Sequence, residues 1–224
     1  MPSPFDYFLG DEHLEMLRKL AKDVINLFEK NNITYWASGG TLLGAVRHLG
    51  QISWDDDVDF DCLTKDYDKI MSLEGEYEKL GYTLHKPNKK YQTVKIYIKD
   101  KWCVGKDDDD PDFERLVGTP TLDLFFMSKN KVNRYCYHEE SVRKDWATCY
   151  YDENQLFPLV DCDFNDYNIK IPADPYPYLS RVYFGWQELV VIDIRNNKDP
   201  LQKNKQVKYK ITQLRPLMLT DCDE

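Results

Sequence analysis

The stretch "SWDDDVDFDCL", Ser53 to Leu63, constrains this chain more than any other: it carries five aspartates, and Asp55, Asp57, Asp59 and Asp61 fall on every second residue. In a strand, residues i and i+2 share a face, roughly 6.5–7 Å apart along the chain. Asp57 and Asp59 therefore point one way while Val58 and Phe60 point the other, into a core. Neighbouring carboxylates repel, and their burial without compensation is expensive. Either the strand is a solvated acidic edge, or a divalent cation sits between the acids. An EF-hand loop starting at Asp55 is excluded, because its sixth position is Phe60 rather than Gly and its twelfth is Asp66 rather than Glu.

The surroundings favour the cation. Fifteen residues upstream, "ASGGTLLGAVRH" runs from a strand through Ser38-Gly39-Gly40 into a helix. Glycines there let an anion approach the backbone, and a helix N-terminus attracts it. Downstream, Asp123 in "TLDLFF" is a lone acid among apolar neighbours and needs a partner. A metal shared with Asp57 and Asp59 would supply one, with Mg²⁺ taking one or two carboxylates and completing its shell with water and phosphate.

The rest of the pattern reads as α+β, a mixed sheet flanked by helices. Apolar spacing predicts a helix over 11–31, a short strand over 33–37, a helix over 41–50 stopped by Gly50, a strand over 57–63 and helix over 65–80. A hairpin is expected around "PNKK", a solvated acidic loop over 106–112 and a strand over 119–127. Beyond 128 the pattern weakens to irregular packing and one short helix near 176–184, and the tail after about Lys198 is expected to be loosely held. With 224 residues, 42% hydrophobic content and no repeats, one domain spanning 1–224 is the simplest organisation, with its core over about 11–187.

A net charge of −9 argues against a nucleic-acid binder. No run approaches the roughly 18 apolar residues of a membrane span, and the start lacks the pattern of a signal peptide. We therefore expect a soluble, cytoplasmic protein. The six cysteines include no C-x-x-C pair and read as free thiols; Cys136, His138, Cys149 and Cys162 lack a usual zinc spacing.

"YWASGGTLLGAVRHLGQISWDDDVDFDCL" resembles the signature of the LicD family, which includes bacterial phosphocholine transferases and fukutin-type proteins and belongs to the nucleotidyltransferase superfamily. "LFPLVDCDFNDYNIKIP" and "YPYLSRVYFGW" resemble its C-terminal pattern, so the likeness covers roughly 11–187; "FNDYNIKIP" departs from the usual Phe-Glu-Gly. The resemblance implies transfer of a phospho-alcohol, phosphocholine or a polyol phosphate, from a nucleotide-activated, CDP-linked donor to a hydroxyl of a glycan acceptor. Asp57 and Asp59 would hold Mg²⁺ or Mn²⁺, and Asp123 would complete the metal site or accept the hydroxyl proton. Ser38, Gly39, Gly40 and Thr41 would bind phosphate.

Three further residues stay open on sequence. Arg47 either neutralises phosphate or pairs with a surface acid, and Lys95 faces the site or solvent. Trp54 is core or stacks on a base or choline, whereas Trp36 reads as core. His48 is read as a helix-end cap, Asp55 as a neighbour supporting the clamp, and Asp61 as peripheral. Two rival functions remain: nucleotidyl transfer releasing pyrophosphate, and a non-catalytic relative that binds glycan or nucleotide.

Overall fold

The computed structural model describes residues 8–85, 93–98, 103–107, 110–117, 120–194 and 205–213. Helix α1, Asp11–Lys30, begins with Asp11 and Glu12 at its positive end and buries Leu17, Leu20, Ala21, Val24, Ile25, Leu27 and Phe28 along one stripe. Each fully buried Leu or Phe there contributes on the order of 1.5–3 kcal/mol. Strand β1, Tyr35–Ala37, leads through Ser38 into α2, Gly39–His48. The glycines expected to form a turn thus open the helix itself. It ends at His48, and Leu49 rather than Gly50 takes the left-handed conformation that stops it, at φ 56°. Gly50 serves a close approach instead, since a Cβ there would collide with the Asn165 side chain.

Strand β2, Asp57–Leu63, falls where the alternation predicts it. The helix expected over 65–80 is broken into a 3₁₀ turn, α3 (Tyr67–Ser72) and α4 (Glu74–Lys79). Ser72 Oγ donates to the Lys69 carbonyl at 2.7 Å, a local bond that competes with the helical ladder at the break. Strands β3 (Tyr82–His85) and β4 (Val94–Ile98) pair as expected; their connection lies outside the described residues. The acidic stretch 106–112 is not simply a loop, because its ends lie in β5 (Cys103–Asp107) and β6 (Asp110–Val117), an antiparallel pair.

Strand β7, Thr121–Lys129, is followed by β8 (Arg134–Tyr137), α5 (Glu140–Asp145), β9 (Tyr150–Asp152), α6 (Glu153–Leu156), β10 (Val160–Phe164) and β11 (Tyr167–Ile171). Then come α7 (Tyr176–Val182), near the predicted short helix, β12 (Leu189–Ile194) and β13 (Lys205–Lys210). The polar tail is thus partly ordered: β13 pairs along its whole length with β12.

The main sheet runs β1-β2-β7-β4-β3, with β8 and β9 added beyond the far half of β7. Only β2 and β7 are parallel, so the sheet is mixed, as expected. One face carries Val58, Phe60, Leu122, Leu124, Val94 and Ile96, each at most 1% exposed. These join the α1 stripe in one apolar core. The other face carries the acids. Among the described residues no helix is long and apolar enough to cross a membrane.

Candidate active site

Register brings the predicted residues together. On the parallel pair β2–β7, Asp57 stands opposite Thr121 and Asp59 opposite Asp123; across β4–β7, Lys95 stands opposite Asp123. Residues directly opposite share a face, so Asp59, Asp123 and Lys95 form a row across three neighbouring strands. Carboxylate oxygens of Asp57, Asp59 and Asp123 lie within 4.8 Å of one another, and Asp55, Asp56 and Asp57 form a second such group. Burial, reinforced by the charges of Asp57, Asp123 and Asp55, pushes the Asp59 carboxyl well above its ordinary pKa despite Lys95.

Lys95 Nζ donates to Asp123 Oδ2. Burial pulls the Lys95 ammonium down, but the Asp123 carboxylate, with the charges of Asp57 and Asp59, outweighs it and the net shift is upward. Lys95 therefore faces the site. The other oxygen, Asp123 Oδ1, is buried without a hydrogen bond. Three clustered carboxylates and a buried oxygen lacking a donor suit a hard divalent cation.

The glycines make room for the acids. Gly39 has φ 51°, and a Cβ on it would stand 2.5 Å from Asp59 Oδ2; a Cβ on Gly40 would collide with Asp55 Oδ2. Asp59 is fastened to the same turn, its N–H donating to Thr41 Oγ1 at 2.8 Å. The Gly39 N–H donates to Tyr178 Oη at 3.3 Å. Ser38 and Thr41 are buried, so their side chains support the turn from within.

A cavity of about 630 Å³ opens from the acids along α2. Gly40, Leu43 and Arg47 line one side, Trp54, Asp55, Asp56, Asp57 and Asp59 another, and Tyr183, Phe184, Trp186, Leu189 and Lys208 close it. Among the described residues Arg47 pairs with no surface acid: its Nη1 donates to the carbonyls of Trp186 at 2.9 Å and Leu189 at 3.1 Å, and Nε donates to His48 Nε2 at 2.9 Å. Burial lowers the guanidinium pKa to about 10, so it stays charged at neutral pH. Burial, with the Arg47 charge, lowers His48 to about 3, so this last residue of α2 is a neutral acceptor. Trp54 is half-buried against Phe8 (centroids 5.6 Å) and His48 (5.7 Å), whereas Trp36 is core as expected.

Asp61 is not peripheral. It is fully buried, because β1–β2 pairing sets it opposite Trp36 beneath the acid row. Neither carboxylate oxygen makes a hydrogen bond of full geometry, and Trp36 Nε1 and Tyr151 Oη are likewise without one. Burial raises its pKa to about 8, opposed by the Ser38 hydroxyl, the Tyr151 phenol and the Trp36 indole N–H turned towards it. Tyr151 stacks on Tyr178 at 4.5 Å, and Tyr178 reaches Gly39, so a buried polar layer connects Asp61 to the glycine turn.

Sequence reasoning also missed Tyr183. Burial, then the charges of Asp59, Asp55 and Asp57, keep its phenol protonated beside the acids. The signal was the Tyr-rich "YPYLSRVYFGW", which periodicity could not resolve. Cys62, Cys136, Cys149 and Cys162 are free thiols, as expected, and Cys136, His138, Cys149 and Cys162 form no metal-ligating cluster among the described residues.

A mixed sheet with paired acids on one strand, a third on its parallel neighbour and a glycine-opened helix beside them defines a nucleotidyltransferase-type domain. A sequence model of the LicD/FKTN/FKRP nucleotidyltransferase domain matches residues 32–174, and the chain belongs to this family. It is 32% identical over 186 residues to an uncharacterised protein of Rickettsia prowazekii, covering 83% of this chain and 60% of that protein's length. Over 62 residues it is 40% identical to the ribitol 5-phosphate transferase FKRP of Mus musculus, 28% of this chain and 13% of the relative. Over 47 residues it is 43% identical to the lipopolysaccharide cholinephosphotransferase LicD of Haemophilus influenzae, 21% of this chain and 18% of the relative. The FKRP and LicD homologues are transferases by name, and the matched part of the chain spans 60% of the Rickettsia relative's length and less than a fifth of the other two.

Proposed function

We propose that the protein moves a phospho-alcohol group, phosphocholine or a polyol phosphate, from a CDP-linked donor to a hydroxyl of a glycan. The observation that carries this reading is the set of Asp57, Asp59 and Asp123 oxygens within 4.8 Å of one another beside the Gly39–Gly40 turn. The names of the FKRP and LicD relatives supply the class of group transferred. Asp57, Asp59 and Asp123 would hold Mg²⁺ or Mn²⁺, which when bound offsets the charge of the donor diphosphate.

The chain's own groups do the positioning on which phosphoryl-type transfer depends. Backbone N–H groups at the start of α2 receive phosphate oxygens, with Gly40 bare on the cavity wall. The acceptor oxygen forms a bond to the phosphorus bearing the alcohol, and the bond from that phosphorus to the bridging oxygen breaks. Nucleoside monophosphate leaves with the bridging oxygen and its electron pair. The hydroxyl proton passes to Asp123 Oδ1, unless that oxygen completes the metal site; Lys95 already occupies Oδ2.

The test is incubation with CDP-choline, CDP-ribitol and CDP-glycerol and, separately, with the nucleoside triphosphates, each with Mg²⁺ or Mn²⁺ and a panel of glycans, reading released CMP and pyrophosphate. CMP release that needs donor, metal and acceptor is the expected result. Pyrophosphate release from a nucleoside triphosphate would replace the reading with nucleotidyl transfer. Nucleotide binding without either product would replace it with a non-catalytic role.

A further inference from the structure

The acids occupy one end of the cavity, and its far end has a different chemistry. Gly40, Leu43 and Arg47 are spaced three and four apart on α2 and line one wall. At about 1.5 Å rise per residue that wall is on the order of 10 Å long, the length of a nucleoside monophosphate. The Gly40 end carries Asp57 and Asp59; at the Arg47 end stand the half-buried Trp54 and the buried Trp186. On β13, Gln206 and Lys208 lie two apart and both reach the cavity.

We infer that this far end is the nucleoside subsite of the donor, with the base against Trp54 and its polar edge read by Gln206 and Lys208 from the β12–β13 hairpin. The inference rests on the proposed nucleotide-linked donor. A flat ring with polar edges suits an aromatic wall bordered by an amide and an ammonium. A choline cation suits it poorly, because Arg47 and Lys208 are both positive and the carboxylates are at the other end. The hairpin lies outside residues 32–174, so the base is read by a part of the chain beyond the matched family domain.

The test is calorimetric binding of CMP and, separately, phosphocholine, each with Mg²⁺, to the whole chain and to Trp54→Ala, Trp54→Phe and Lys208→Ala, with melting curves confirming that each variant folds. CMP binding is expected to weaken about tenfold or more in Trp54→Ala, the loss of one base–aromatic stack. It should stay near wild type in Trp54→Phe and weaken severalfold in Lys208→Ala, with phosphocholine affinity unchanged in all three. If wild type binds CMP and the variants bind it equally well, the subsite is misplaced while the donor reading stands. If the variants lose phosphocholine but not CMP, the transferred group occupies this end and the inference is overturned. If wild type binds no CMP, and UMP, GMP and AMP also fail, the donor reading falls and the subsite with it.

Discussion

The two ends of the cavity are built differently. The acid end stands on the central strands β2 and β7, whose opposite faces carry Val58, Phe60, Leu122 and Leu124, each at most 1% exposed. A shift of one residue in either strand would put aspartates in the core and apolar groups in solvent, so the register of Asp59 against Asp123 is held by the whole sheet. The aromatic end rests on a two-stranded hairpin whose own buried cluster is Val190, Ile192 and Tyr209, fastened to α2 by the Arg47 bonds to two carbonyls. On the proposed reading, the groups whose geometry the reaction needs sit where packing over-determines them, and the groups that select the ligand sit on a small attachment that can change without disturbing the sheet.

The sharpest way to break that contrast is at the acid end. Asp57→Asn or Asp59→Asn is expected to lower turnover by at least about 10²–10³-fold, the scale of losing one preorganised electrostatic partner. The melting temperature should hold or rise, because the substitution removes a mutually repelling carboxylate. Full activity in either variant, read by product release, would remove the acids from the mechanism.

Gly39→Ala tests whether the turn and the acids are one unit. The new methyl needs φ 51° and the space of Asp59 Oδ2, so a cost of about 1–3 kcal/mol is expected in chemical denaturation. Activity should fall with it, as Asp59 is displaced.

Arg47→Ala addresses the other end. It leaves the Trp186 and Leu189 carbonyls without their donor, at about 1–3 kcal/mol for groups that stay buried. Hydrogen exchange should rise in β12 and β13 while β2 and β7 stay protected. Equal loosening of all four strands would show that the two ends are one cooperative unit.

A further test concerns Asp61. Its folded-state pKa, about 8, lies above that of an unfolded aspartate, so its neutral form is the one folding favours. Its contribution is fully present below the unfolded pKa and is lost as pH rises through about 8. Stability of the wild type, measured by urea unfolding, should therefore decline over that interval. Asp61→Asn should flatten the decline and be the more stable protein above pH 8; an unchanged profile would show that another group is responsible.

Much of the acid end was legible in the sequence. Strict alternation over Asp57–Leu63 specifies a strand, its inward residues and the face shared by Asp57 and Asp59, and a lone Asp123 among apolar residues predicts a partner. These are local rules: each follows from side-chain direction over a few residues. The same rules failed at Asp61, which continues the alternation but passes under Trp36 and Tyr151, and at Ser72, where one side-chain bond accompanies a break in an otherwise helical pattern.

The sequence by itself determined that this chain forms helices and strands around an apolar core, presents aspartates on one strand face and carries a glycine turn ahead of them. Backbone geometry enforces these within short windows. Only the tertiary structure decided that Asp123 meets Asp59 rather than solvent, that Lys95 turns inward to join them, and that Arg47 ties down β12, to which the polar tail adds its strand β13. Those outcomes depend on contacts between residues far apart in the chain, and a contact of that kind leaves no period in the sequence.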